Sequence, residues 1–185
     1  TLSRKGSRAY SSAVPRVILF PLLSFLESSR TNTAAMTGAS ETTLEKRSLR
    51  RRLRSGRDAM TAAQRSDCAR QALEHLVTWG PWTTATLVGS YLPHESEFDP
   101  TLLAQAARAR GADIACPRVN GKFMSFHYWQ VGDGTEETIG GVLQPLAAAP
   151  VVDAAAIDLF LTPLLGCGDS GMRLGYGGGF YDRLF

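Results

Sequence analysis

Two hydrophobic periods alternate along most of the chain. Residues 41–57 hold no Gly or Pro before Gly56; Ser40 or Thr43 as cap, with Glu41 and Glu45 in the first turn, predicts a helix start. Thr61-Ala-Ala-Gln64 has capping-box spacing, and Ala69, Ala72, Leu73, Leu76 and Val77 recur every three or four positions. A second helix is therefore predicted to reach about Trp79, where Gly80-Pro81 stops it. Short apolar and β-branched runs follow. Thr84–Tyr91 reads as a strand, and Asp99-Pro100 opens a helix through Leu102, Leu103, Ala106 and Ala107 to Gly111. Ala112–Val119 is a second strand, joined by a turn at Asn120-Gly121 to a third at Met124–Trp129. Ile157–Pro163 is the fourth and most apolar; the stretch before it reads as loop, and alanine-rich Leu146–Ala156 leaves loop and short helix open. Strands separated by helices predict an α/β fold, a three-layer α/β/α domain with a mostly parallel central sheet. Ligands then belong outside the carboxyl ends of its strands.

Residues 1–35 break the pattern. They are rich in Ser and Arg, and the apolar run Val17–Leu26 is interrupted by Pro21. It falls short of the roughly 20 apolar residues that a membrane span needs. Basic residues ahead of it imitate a signal peptide, and the Ser/Arg richness imitates a transit peptide. Position 1 is Thr, and Met36 stands just ahead of the first helix, so translation beginning at Met36 explains the segment equally. Residues 1–35 are taken as a disordered leader or a mis-assigned start, and 36–185 as the domain.

Composition adds exclusions. At 185 residues, 44% hydrophobic and 20% charged, the chain suits one globular domain and not a collagen, a coiled coil or a disordered chain. Cys68, Cys116 and Cys167 form no Cys-x-x-Cys pair, which argues against structural zinc and for a reducing compartment. A net charge of +3 hides an asymmetry: residues 37–65 carry eight Lys and Arg against Glu41, Glu45 and Asp58, while residues 66–185 are net acidic. A basic head implies an anionic partner, an address or a solvated face.

The candidate chemistry lies at the glycine-rich end. Gly166-Cys-Gly168-Asp-Ser-Gly171 matches Gly-x-Gly-x-x-Gly, but a dinucleotide fold needs a helix, another strand and an acid beyond it, and no Walker loop is present. Arg173-Leu-Gly-Tyr-Gly-Gly-Gly-Phe-Tyr-Asp-Arg183 is more informative. Its glycines free successive backbone N–H groups to converge on an anion, Arg173 adds a planar cation, and Asp182 offers a hard oxygen for Mg2+. Lys46 and Arg50 share one face of the first helix, and Arg57 points roughly the same way. Such a face suits polyphosphate, nucleic acid or solvent. His75, His94 and His127 show no metal-ligand spacing and read as structural or surface residues. Cys68 and Cys116 read as buried apolar residues.

From about residue 44 onward the sequence resembles the 5-formyltetrahydrofolate cyclo-ligase (5,10-methenyltetrahydrofolate synthetase) family. The resemblance rests on Lys46-Arg-Ser-Leu-Arg50, Glu97-Phe-Asp99, Pro117-Arg118 and the Arg173–Arg183 motif. It implies a cytoplasmic, monomeric enzyme, without nucleic-acid or membrane partners. Its partners are 5-formyltetrahydrofolate and ATP, with Mg2+ as cofactor; the products are 5,10-methenyltetrahydrofolate, ADP and phosphate. ATP phosphorylates the formyl oxygen, N10 attacks the activated carbon, and phosphate leaves; no side-chain nucleophile is needed. Carried over by position, Lys46, Arg50, Arg173 and the loop Leu174, Gly175, Tyr176, Gly177, Gly178, Gly179, Phe180 and Tyr181 bind ATP. Leu92, Glu97 and the stretch Tyr176 to Phe180 meet the substrate, Arg173 and Tyr181 are catalytic, and Asp182 ligates the metal. Tyr128 and Trp129 are further candidates for stacking on the pterin, although aromatic side chains on a strand are more often core. Cys167-Gly168 departs from the Phe-Asp of many members, so an acid is missing there, and whether Asp169 next to it replaces that acid is left open. The family also continues past Tyr-Asp-Arg with a helix, a strand and another acidic ligand, so the domain is expected to be C-terminally truncated. Two alternatives stand beside this reading: a nucleic-acid-binding module using residues 46–57, and an inactive folate or nucleotide binder.

Overall fold

The computed structural model describes residues 16–19, 39–168 and 172–185. Strand β1 (Arg16–Leu19) precedes helices α1 (Ala39–Asp58), α2 (Ala62–Leu76) and α3 (Gly80–Thr84). Strand β2 (Leu87–Gly89), helix α4 (Thr101–Ala109) and strand β3 (Asp113–Asn120) form a β-α-β unit, and β4 (Phe123–Tyr128) returns as a hairpin. Then come β5 (Thr135–Glu137), β6 (Leu143–Pro145), β7 (Val151–Val152) and a 3₁₀ turn at Ala154–Ala156. Strands β8 (Leu159–Thr162), β9 (Gly166–Cys167) and β10 (Arg173–Leu174) lead into helix α5 (Phe180–Leu184).

The main sheet has six strands in the order β1-β8-β2-β3-β4-β7; the first four are mutually parallel, β4 runs antiparallel to them, and β7, antiparallel to β4, runs with the first four. Strand β8 is buried along its whole length, as its unbroken apolar run requires of a central parallel strand. Alternation along the strands divides the core. Val88, Ile114, Cys116, Leu159 and Leu161 face α2, α3 and α4, while Leu87, Ala115, Phe126 and Phe160 face the opposite way, where Tyr181 and Leu184 of α5 cover them. The fold is the expected three-layer arrangement, with a thin second layer. Asp158 ties two central strands at their start: its Oδ2 accepts from the Thr86 and Leu87 N–H groups at 2.7 and 3.0 Å.

Several boundaries moved for local reasons. Helix α1 begins at Ala39, so Ser40 and Thr43 lie within it rather than at its cap. The Thr61–Gln64 capping box forms as read, with N···O distances of 2.8 and 3.2 Å. Gly80-Pro81 ends the second helix but also opens α3, because a proline in the first turn lacks only an N–H that would go unpaired there. Thr83 and Thr84 then donate their hydroxyls to the Gly80 carbonyl, which shortens the first predicted strand to Leu87–Gly89. The stretch read as loop holds the β5–β6 hairpin and β7, whose polar or very short strands give no period to read. Residues 16–19, set aside with the leader, pair with β8, Val17 opposite Phe160 and Ile18 opposite Leu161. The rest of 1–35, and Met36, lie outside the described residues.

Gly89 is a close-approach position: a Cβ there would stand 2.6 Å from Phe160 Cδ1, and Phe160 is 1% exposed. Gly89→Ala is expected to overpack the core by about 1–3 kcal/mol, read as a lower urea midpoint with an unchanged m value.

Candidate active site

Two loops leave the carboxyl ends of neighbouring parallel strands. Residues 90–100 follow β2, and the β9–β10 hairpin with residues 175–179 follows β8. Helix α1 lies across both. It is largely exposed, and what it turns inward is Leu49, Arg50, Leu53, Gly56 and, most deeply, Arg57. Arg50 Nε donates to the Gly175 carbonyl at 2.8 Å, and Leu53 fills the space where a side chain at Gly166 would stand. Arg57, 5% exposed, donates from Nε to Ser96 Oγ at 3.1 Å and from Nη1 to the Tyr176 hydroxyl. Ser96 in turn donates to Asp58. Gly177 has φ +104°, a left-handed conformation that disfavours any side chain, and it lies against the Arg50 guanidinium at ordinary contact distance.

The β2 loop presents Glu97 from a tight turn. The His94 N–H donates to Glu97 Oε2 and the Glu97 N–H to the His94 carbonyl, each at 3.0 Å, while Glu95 adopts φ +52°. The Tyr91 hydroxyl pins the following segment by donating to the Phe98 carbonyl at 2.8 Å. Tyr176, on the glycine loop, lies near enough to Glu97 for the carboxylate's charge to act on its phenol. Burial pushes the Tyr176 phenol well above its ordinary value, the Glu97 charge acts in the same direction, and Arg57 opposes both. Tyr176 therefore stays neutral and its proton remains available to the carboxylate.

Arg173 forms an ion pair with Asp182 and stands 5.4 Å from the centre of the Tyr181 ring. Its side chain is 14% exposed and that of Asp182 is 73% exposed, so the cation is seated and its partner faces outward. Tyr181 lies in the second core cluster, its hydroxyl buried and unpartnered among the described residues. Burial pushes that phenol up, with Arg173 opposing.

The structure thus brings together Arg50, Gly175, Tyr176, Gly177 and Glu97 on one side, and Arg173, Tyr181 and Asp182 on the other. Lys46 is exposed on α1, one turn before Arg50. Leu174 pairs with Gly166 in the β9–β10 hairpin, and Leu92 packs half-buried against the first core cluster. Phe180 folds its ring against Gly178, beneath the Arg183 guanidinium. Asp169 lies outside the described residues.

Other expectations need correction. Trp129 packs into the first core cluster and donates its backbone N–H to the Ile114 carbonyl, at the amino-terminal end of the parallel strands. It is no stacking platform for this site, and Tyr128 sits beside it at the end of the same strand. Cys116 is fully buried as read, whereas Cys68 is only half-buried. His127 is buried between Ser125 Oγ and the Ala149 carbonyl, and His75 is exposed on α2. Arg57 was placed on the right face of α1 but not among the site residues. Its spacing of seven from Arg50, two helical turns, was the available signal.

Among the described residues no group of three or more His, Cys, Asp or Glu could hold a metal. Asp182, whose carboxylate faces outward, fits the Mg2+ binding mode in which a carboxylate is completed by phosphate oxygens and water.

Comparison with known proteins places this arrangement. The model of the 5-formyltetrahydrofolate cyclo-ligase family matches residues 42–185. A 5-formyltetrahydrofolate cyclo-ligase of Escherichia coli (strain K12) is 27% identical over 135 residues, covering 71% of this chain and 74% of that one. Its namesake from Haemophilus influenzae is 23% identical over 145 residues, covering 76% and 78%. Among solved structures, a 5,10-methenyltetrahydrofolate synthetase of Aquifex aeolicus superposes with a TM-score of 0.65 at 23% identity, covering 75% of this chain and 71% of that one. A synthetase of the same name from Mycoplasma pneumoniae gives 0.59 at 20% identity, covering 75% and 76%. Sheet, loops and sequence define a ligase-type α/β protein. The chain belongs to the 5-formyltetrahydrofolate cyclo-ligase family.

The buried phenols carry a pH consequence. Tyr91, Tyr176 and Tyr181 hold their protons above the ordinary value of 10.0, chiefly through burial. Between that value and the folded one, the native state binds more protons than the unfolded state. Stability is then fully present below pH 10 and falls as pH rises further, by up to about 1.4 kcal/mol per pH unit for each phenol. Melting temperatures from pH 8 to 11 are expected to drop above pH 10, and Tyr181→Phe is expected to flatten that slope.

Proposed function

We propose that the protein catalyses the ATP- and Mg2+-dependent cyclisation of 5-formyltetrahydrofolate to 5,10-methenyltetrahydrofolate, releasing ADP and phosphate. The observation that carries the reading is the joining of the basic face of α1 to the glycine loop through Arg50 and Gly175, beside Glu97. A polyphosphate needs cations backed by approachable backbone, and a pterin needs an acceptor for its N–H groups; both lie at one end of the sheet.

A formyl amide is a poor electrophile. Transfer of the γ-phosphoryl group to its oxygen makes that oxygen a leaving group, N10 closes the ring at the formyl carbon, and phosphate departs. The chain's own residues position the reactants and balance charge. Lys46 and Arg50 hold phosphates from α1, with the 174–181 loop beneath them. Arg173 faces the transferring group and Tyr181, under its guanidinium, keeps it in place. Glu97 accepts from the pterin, with Leu92 and residues 176–180 as the substrate wall. Mg2+ would be held by Asp182 together with nucleotide oxygens, and supplies charge neutralisation between the phosphates.

The exposed arginines of α1 also suit a polyanion, yet Arg50 and Arg57, which a nucleic-acid surface would present outward, are turned into the loops. A cytoplasmic monomer is part of the same reading. Among the described residues no helix is long and apolar enough to cross a membrane.

The test is the growth of methenyltetrahydrofolate absorbance from 5-formyltetrahydrofolate, ATP and Mg2+. Turnover is expected to need all three, to fall at least about a hundredfold in Asp182→Ala, and to show a raised KM for ATP in Arg50→Ala. Absence of turnover with folate still bound leaves the inactive-binder alternative. A salt-sensitive shift of generic RNA that ATP does not displace favours the nucleic-acid module.

A further inference from the structure

Arg57 is not accounted for by the phosphate-binding set. It is buried at 5% exposure, and among the described residues no carboxylate comes within ion-pair distance of it. A buried cation in that position is costly unless something answers its charge. Its donors go to two neutral hydroxyls, Ser96 Oγ in the 94–97 turn and the Tyr176 hydroxyl in the glycine loop.

The direction of those bonds matters. A guanidinium only donates, so at the Tyr176 oxygen it occupies an acceptor position and leaves the hydroxyl proton to be given elsewhere. Glu97 is the neighbour that interacts with this hydroxyl, and an ionised carboxylate only accepts. A hydroxyl so held has its proton free to turn toward Glu97, whose charge acts on it. Ser96, next to Glu97 in sequence, is held by Arg57 from the other side and donates to Asp58. One guanidinium thus grips both the loop that carries Glu97 and the loop that carries Tyr176. Arg54, 5.8 Å from the centre of the Tyr176 ring, completes the seat.

We infer that Arg57 and Tyr176 form a positioning relay for Glu97, fixing the carboxylate through which the folate is recognised. The role rests on the folate reading of the site and extends it. Arg57 and the Tyr176 hydroxyl serve the folate side, whereas Arg50, two turns earlier on the same helix, serves the nucleotide. Neither relay member reacts; each sets where the Glu97 oxygens stand.

The experiment is a double-mutant cycle in the full chain with Tyr176→Phe, which keeps the ring, and Glu97→Gln. Both KM values and the melting temperature are measured for the four proteins. Tyr176→Phe is expected to raise KM for 5-formyltetrahydrofolate roughly tenfold, the scale of one hydrogen bond to a charged group, and to leave KM for ATP within about twofold. Added to Glu97→Gln it is expected to cost nothing more. Arg57→Lys, which keeps the charge but loses the fork, is expected to give the same split between the two KM values. Losses that multiply in the double variant overturn the relay, as does a rise in KM for ATP instead of folate. If the parent chain binds and turns over nothing, the folate reading fails separately. The relay is then decided by the melting temperatures, where coupled losses uphold it and additive ones overturn it.

Discussion

Helix α1 docks through directed hydrogen bonds as well as apolar contact. Most docked helices turn an apolar stripe toward the core, but the inward stripe of α1 mixes Leu49 and Leu53 with Arg50 and Arg57, and its most buried member is the Arg57 guanidinium. Apolar contacts tolerate sliding, whereas a guanidinium must meet an acceptor at a set distance and angle. The two arginines therefore fix not only the helix but also the carbonyl and hydroxyl that receive them. Those receivers, Gly175, Tyr176 and Ser96, belong to two loops separated in sequence by most of the body. Their mutual placement depends on the one helix that touches both.

Beneath that clamp the sheet supplies a rigid floor. Strands β8 and β2 lie side by side and parallel, so their following loops emerge together, and no longer excursion is needed to bring residues 94–97 near residues 175–179. Tyr181 roots the far end of the glycine loop in the core, next to Phe126 and Phe160. The loop is thus held at both ends, by Arg50 near its start and by Tyr181 at its finish. Such a site has little to do by covalent chemistry and much to do by placement, which suits a reaction whose activation comes from the co-substrate.

Much of this was legible in the sequence. The β-α-β unit announced itself by Asp99-Pro100 and Gly111 around an apolar helix, and β8 by its unbroken run. The glycine motif stood out because no structural element needs so many glycines with Arg before and Asp after. What stayed hidden has physical reasons. The β5–β6 hairpin is polar and only three residues per strand, below the length at which alternation can be seen. Trp129 stood between core and ligand platform, with core favoured, because an aromatic on a strand gives no sign of which end of the sheet it occupies; its packing settles it as core. Arg57 lay hidden because spacing reports a helix face but not what that face meets; only the placement of Ser96 and Tyr176 shows a buried cation with work to do.

Among the described residues, β7 and β1 border the main sheet. On one side it ends at β7, two residues long, with Val151 exposed, Pro150 before it and Asp153 after. A strand so short offers a visiting chain too few hydrogen bonds to template on, and the flanking proline and charge stop the pairing from lengthening. On the other side the hydrophobic β8 is shielded by β1, drawn from a part of the chain remote in sequence. Brevity thus limits pairing at the β7 border, while on the other side β1 takes the edge position and leaves β8 interior. Loss of the β1 cover would open β8, the most apolar strand of the fold, to unwanted partners.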